Sequence, residues 1–184
     1  MALEYGVEIV GISEAGSFRN FADRHVGLLK KFRRLIQTQT AQIGRNAAAG
    51  GSLENILKAV RGFCTGRVIA VFGCGGDRDR TKRPEMAQIA VQYASTAIFT
   101  SDNPRHESPE AILDEMVAGL DPGTRYLRIA DRAEAIRTAV MLSRPGDIIL
   151  VAGKGHETYQ IIGDVKHHFD DREEVRRAFE TLLR

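Results

Sequence analysis

From Ser52 onward, short β-branched apolar runs alternate with segments whose apolar residues recur at helical spacing, the pattern of an α/β sheet. Ser52 reads as the N-cap of a helix carrying Leu53, Ile56, Leu57 and Val60 on one face. Val68–Phe72 is a nearly continuous apolar run, as expected of a strand covered on both faces. Pro84 suits the first turn of a helix with Met86, Ile89, Ala90 and Tyr93, and Thr96–Thr100 is the next strand. Pro109 opens a helix ending before the Asp121-Pro122-Gly123 turn; a strand over Tyr126–Ile129 and a helix over Arg132–Leu142 follow. Ile148–Ala152 is a third strongly apolar strand. Tyr159–Ile162 and Val165–Phe169 flank Gly163-Asp164 as a hairpin, and Asp171–Leu183 closes the chain as a helix. Four strands joined by helical crossovers predict a Rossmann-like, mostly parallel sheet, with the hairpin as its antiparallel edge.

Residues 1–51 lack this rhythm. Between Arg24 and Leu53 stand Arg24, Lys30, Lys31, Arg33, Arg34 and Arg45 with no acid among them, so this stretch reads as an irregular basic appendage to a domain over 52–184. The whole chain is nearly charge-balanced, with 26 Lys+Arg against 24 Asp+Glu, which supplies no field for non-specific nucleic-acid binding. Cys64 and Cys74 are too few for a disulfide scaffold and lack zinc-ligand spacing, which favours a reducing, cytoplasmic setting. No window has the ~18 to 20 apolar residues of a membrane span, and Met1–Val10 does not read as a signal peptide.

In open α/β sheets ligands gather at the carboxyl ends of strands, so the loops there are the candidate site. The first, Gly73-Cys74-Gly75-Gly76-Asp77-Arg78-Asp79-Arg80-Thr81-Lys82-Arg83, starts like a dinucleotide fingerprint but puts Arg78 at the third glycine position; its flexibility and charge suit an anionic group. The second, Asp102-Asn103-Pro104-Arg105, offers an Arg fork for a carboxylate beside acceptors for an ammonium, a pairing suited to a zwitterionic amino acid. The third, Gly153-Lys154-Gly155-His156-Glu157, lets a ligand approach the backbone and places Glu157 to bind an amine. No nucleophile set or metal cluster has a recognisable spacing, and His167-His168 reads as strand surface.

Together these loops, with Thr81-Lys82-Arg83-Pro84 and Phe169-Asp170-Asp171-Arg172-Glu173, occur in an order that closely resembles the C-terminal domain of the MurE ligase family over about 52–184. The resemblance implies an ATP- and Mg²⁺-dependent ligase of peptidoglycan biosynthesis. In that family an acyl phosphate on the precursor UDP-N-acetylmuramoyl-L-alanyl-D-glutamate is attacked by the amine of meso-diaminopimelate, and the C-terminal domain presents that amino acid. The family's ligand positions correspond here to Arg78, Asp102, Asn103, Pro104, Arg105, Gly153 and Glu157, and the resemblance makes Arg105 the reader of the carboxylate that lysine lacks.

The chain also departs from the family. It has no Gly-Lys-Thr/Ser phosphate loop or other match to the family's central ATPase domain, and Asn46-Ala47-Ala48-Ala49-Gly50 replaces a Tyr-Ala-His-Thr-Pro segment. Ala2–Val7 faintly resembles the end of that domain. The expectation is a truncated or altered gene product, without turnover on its own and holding neither ATP nor Mg²⁺ itself. Two other readings stand beside it: a non-catalytic amino-acid-binding remnant, and a dinucleotide-binding oxidoreductase domain using the Gly73 turn.

Overall fold

The apolar runs Val68–Phe72 (β2), Thr96–Phe99 (β3) and Ile148–Gly153 (β5) are buried nearly throughout because both faces of their sheet are covered. A computed structural model of the protein describes residues 6–11, 49–62, 64–144, 146–154 and 157–182. Its main sheet runs β1-β5-β2-β3-β4, with β1 spanning Gly6–Gly11 and β4 the two residues Leu127–Arg128. β5, β2, β3 and β4 are parallel; β1 lies antiparallel on β5, Gly6 opposite Gly153 and Gly11 opposite Ile148.

Alternate strand residues enter two separate cores. Val68, Ala70, Phe72, Phe99 and Leu150 pack beneath helices α1 (Ala49–Arg61), α2 (Lys82–Tyr93) and α3 (Pro109–Val117). Ile69, Val71, Ile98, Ile149 and Val151 pack on the other face against α4 (Arg132–Leu142) and α5 (Asp171–Leu182). This period-2 division is the pleat of the strand expressed in burial. The Asp131 side chain accepts from the Glu134 N–H and starts α4 one residue later, while Ser108 does the same for α3 through Ala111.

The α/β reading holds, with two corrections. The hairpin β6 (Tyr159–Ile162) and β7 (Val165–His168) forms a two-stranded sheet of its own, and the antiparallel edge of the main sheet is β1 instead. The first helix begins at Ala49, so Ser52 lies within it and is not its cap. Of the predicted N-terminal appendage, residues 6–11 pair with the sheet; the basic run from Arg24 to Arg45 lies outside the described residues.

Chain order carries the sheet from β2 outward to β3 and β4 and then returns to place β5 on the other side of β2. The strand order therefore reverses between β2 and β5. Their carboxyl ends, with that of β3, frame the crevice where ligands bind in this class of sheet.

Candidate functional site

The glycine turn after β2 is shaped by the chain beside it. A side chain at Gly73 would stand 2.2 Å from the Thr100 carbonyl oxygen, and one at Gly76 would stand 1.9 Å from that of Pro104. Only glycine permits this approach, and the Gly76 N–H uses it to donate to the Asn103 carbonyl at 2.8 Å. The space beside Gly73 and Gly76 is filled by the loop after β3.

The Asp102-Asn103-Pro104-Arg105 segment is held between that turn and the hairpin. Gln160 Nε2 donates to the Asp102 carbonyl at 2.6 Å, the Ile161 N–H donates to Asn103 Oδ1 at 2.9 Å, and the Arg105 N–H donates to the Ile161 carbonyl at 3.0 Å. Arg105 takes a left-handed backbone, φ +52, which costs of order 1 kcal/mol outside glycine and is sustained here by bonds from both neighbours. Its Nη1 donates to the Gly76 carbonyl at 2.8 Å, which anchors one arm of the guanidinium over the turn. Arg78 is exposed nearby: a side chain at Gly75 would meet Arg105 Nη1 at 3.1 Å and Arg78 Cγ at 3.4 Å.

Asn103 is buried and joins two strand ends. Its Nδ2 donates to Glu157 Oε2 at 2.9 Å, while its Oδ1 also accepts from Lys154 Nζ at 3.3 Å. Gly153, at φ +118, runs so close that an added side chain would lie 3.3 Å from Asp102 Oδ2. Burial pushes the Asp102 carboxyl above the ordinary carboxylate range, against the pull of Arg132 and Lys154. Of the seven predicted residues, Asp102 lies against Gly153, Asn103 is bonded to Glu157, Pro104 and Arg105 continue the Asp102 loop over the glycine turn, and Arg78 is exposed beside Gly75.

Around them lie residues to which the sequence reading gave no role. Arg132 at the start of α4 is buried, makes two bonds to Asp171 at 2.8 and 2.7 Å, and donates to the Ser101 and Ala152 carbonyls. It ties the ends of β3 and β5 together. Lys154 is buried, and Gln160 belongs to the hairpin. Asp171 lay within a quoted motif, but Arg132 had no local signal, since nothing around it in the chain distinguishes it from a surface helix residue.

Comparison with known proteins matches the chain to the Mur ligase glutamate ligase domain over residues 42–155. The chain belongs to this Mur ligase family. Among curated relatives, the Mur ligase domain described here is 61% identical over 127 residues to a UDP-N-acetylmuramoyl-L-alanyl-D-glutamate–2,6-diaminopimelate ligase of Trichormus variabilis, covering 69% of this chain and 26% of that one. It is 59% identical over 132 residues to the ligase of that name from Bacillus cereus, covering 72% and 27%. A solved structure of a ligase of that name superimposes with a TM-score of 0.71 at 47% identity, over 75% of this chain and 28% of the other. The chain thus spans about a quarter of the length of the relatives it matches. Among the described residues no helix is long and apolar enough to cross a membrane.

Proposed function

We propose that residues 52–184 form the amino-acid-presenting domain of a cytoplasmic, ATP-dependent ligase that adds meso-diaminopimelate to UDP-N-acetylmuramoyl-L-alanyl-D-glutamate. The observation that carries this reading is that one loop joins groups of opposite charge: it carries Arg105, and its Asn103 side chain donates to the Glu157 carboxylate at 2.9 Å. A zwitterion with a carboxylate at one end and an ammonium at the other complements that arrangement. Arg105 supplies a planar fork for the carboxylate, Glu157 accepts from the ammonium, and Asp102 and Gly153 line the chain between them. The names of the similar ligases support the choice of ligand. Held this way, the amine is oriented before it meets an activated acyl group, which removes orientational entropy from the reaction. In this reading ATP, Mg²⁺ and the UDP-linked dipeptide are bound by other parts of a longer ligase.

The test is a titration of the ¹⁵N-labelled 184-residue chain with millimolar meso-diaminopimelate and, separately, L-lysine. Resonances of Arg78, Asp102, Asn103, Arg105, Gly153 and Glu157 should respond, and more strongly to the dicarboxylate. An equal response to both ligands, or shifts scattered away from these residues, overturns the assignment.

A further inference from the structure

The site contains a buried cation that its ligand chemistry does not use. Lys154, between Gly153 and the segment leading to Glu157, has its side chain fully enclosed. Its Nζ donates to the Tyr159 carbonyl at 2.5 Å and to Asn103 Oδ1 at 3.3 Å, and faces Asp102 Oδ1 at 3.7 Å. The ring of Phe169 lies 5.8 Å away. An ammonium has three protons and no acceptor, and here three oxygens surround it. Asp102 Oδ1 is itself buried without a hydrogen-bond partner, so Lys154 is the cation that answers it at closest range among the described residues.

The consequence falls on Asn103. A carboxamide presents either its oxygen or its NH₂ to a neighbour, and a group that only donates selects the oxygen. Lys154 Nζ and the Ile161 N–H both donate to Asn103 Oδ1, which turns Nδ2 outward to Glu157 Oε2. The Lys154 carbonyl also accepts from the Glu157 N–H at 3.1 Å, so both the backbone and the carboxylate of Glu157 refer back to Lys154. We infer that Lys154 is a positioning residue of the amino-acid site: it fixes the orientation of the Asn103 carboxamide and, through it, aims the Glu157 carboxylate at the ligand's ammonium. This rests on the amino-acid-binding reading above for the identity of the ligand, but not for the arrangement of Asn103. It also divides labour between the two acids. Asp102 is engaged by Lys154 inside the protein, and Glu157 is the one presented to an incoming ammonium.

The experiment compares the full 184-residue chain with Lys154→Met and with the charge-neutral pair Lys154→Met/Asp102→Asn, which spares the fold an unanswered buried carboxylate. Exchange of the Asn103 Nδ2 protons is followed by NMR in the free proteins, with the Ile149 and Leu150 amides as reporters of the core. Without Lys154, exchange at Asn103 should quicken at least tenfold while the core amides keep their protection, and binding of meso-diaminopimelate should weaken at least tenfold. Unchanged exchange at Asn103 in a folded variant overturns the inference. If Asn103 responds but the wild-type chain shows no response to meso-diaminopimelate at Arg105 or Glu157, the positioning role stands and the amino-acid reading fails. Should neither variant fold, the wild-type chain decides: a slowly exchanging Lys154 NH₃⁺ signal, with Nδ2 protons of Asn103 close to the Glu157 side chain, supports the role, and Nδ2 protons close to the Ile161 N–H refute it.

Discussion

Asn103 Nδ2 donates to Glu157 Oε2 at 2.9 Å, and these residues are 54 positions apart in the chain. The bond links the loop after β3 to the segment after β5 across the carboxyl end of β2, which lies between those strands. The two loops therefore form a single connected unit, whose parts are separable by mutation.

Arg105 should discriminate between ligands that differ by a carboxylate. Arg105→Ala is expected to weaken binding of meso-diaminopimelate by about 1.5 to 3 kcal/mol, the range for a charge-assisted hydrogen bond, and to leave L-lysine binding nearly unchanged. Arg105→Lys should recover only part of the loss, because a point charge does not reproduce the planar fork. Parallel titrations with the two ligands check this.

The glycine turn should tolerate no side chain at its contact with the neighbouring loop. Gly76→Ala places a methyl group 1.9 Å from a backbone oxygen, which cannot swing aside, and should cost about 1 to 3 kcal/mol or more. Gly163→Ala, in the hairpin turn at φ +57 with nothing within 4 Å, meets only the left-handed backbone penalty of about 1 kcal/mol. Urea unfolding midpoints of the two variants should separate accordingly.

Breaking the buried Arg132–Asp171 pair from one side should be severe. Arg132→Met leaves Asp171 charged and enclosed, at an expected cost of about 3 to 5 kcal/mol, whereas Arg132→Met/Asp171→Leu should lose less. A double variant as unstable as the single one would show that the carbonyl contacts to Ser101 and Ala152 matter more than the ion pair.

Stability should fall on the acid side through Glu107. The buried Arg83 guanidinium holds the Glu107 carboxyl at about 2, below its ordinary 4.5. Between those values the unfolded chain binds the proton and the folded chain does not, so stability is present above 4.5 and is lost as pH drops through about 2. Glu107→Gln should flatten that limb of the pH profile. His106 acts oppositely: Asp77 and Asp164 raise its pKa, so its contribution is present below 6.5 and is lost as pH rises through the raised value.

The 184-residue chain given ATP, Mg²⁺, the UDP-linked dipeptide and meso-diaminopimelate should release no phosphate, since its sequence has no phosphate loop to form the acyl phosphate. Phosphate release that depends on diaminopimelate would refute this.

Much of the architecture is written locally. The continuous apolar runs at Val68–Phe72 and Ile148–Ala152 already require cover on both faces, and Asp131 sets the start of α4 because capping is decided within a few residues. The turn chemistry of Gly163-Asp164 likewise determines the hairpin. Tertiary structure alone decides that β5 returns beside β2, that the hairpin stands apart from the main sheet, and that β1 takes its edge. It also decides what the charges do. Lys154, Arg83 and Arg132 look in the chain like solvated surface residues, and each is buried because acceptors from distant segments converge on it. An unpaired charge would not remain in such a place, so these roles depend on partners that include Glu107, Asp171 and Asn103, which stand 24, 39 and 51 residues away and which no local pattern encodes.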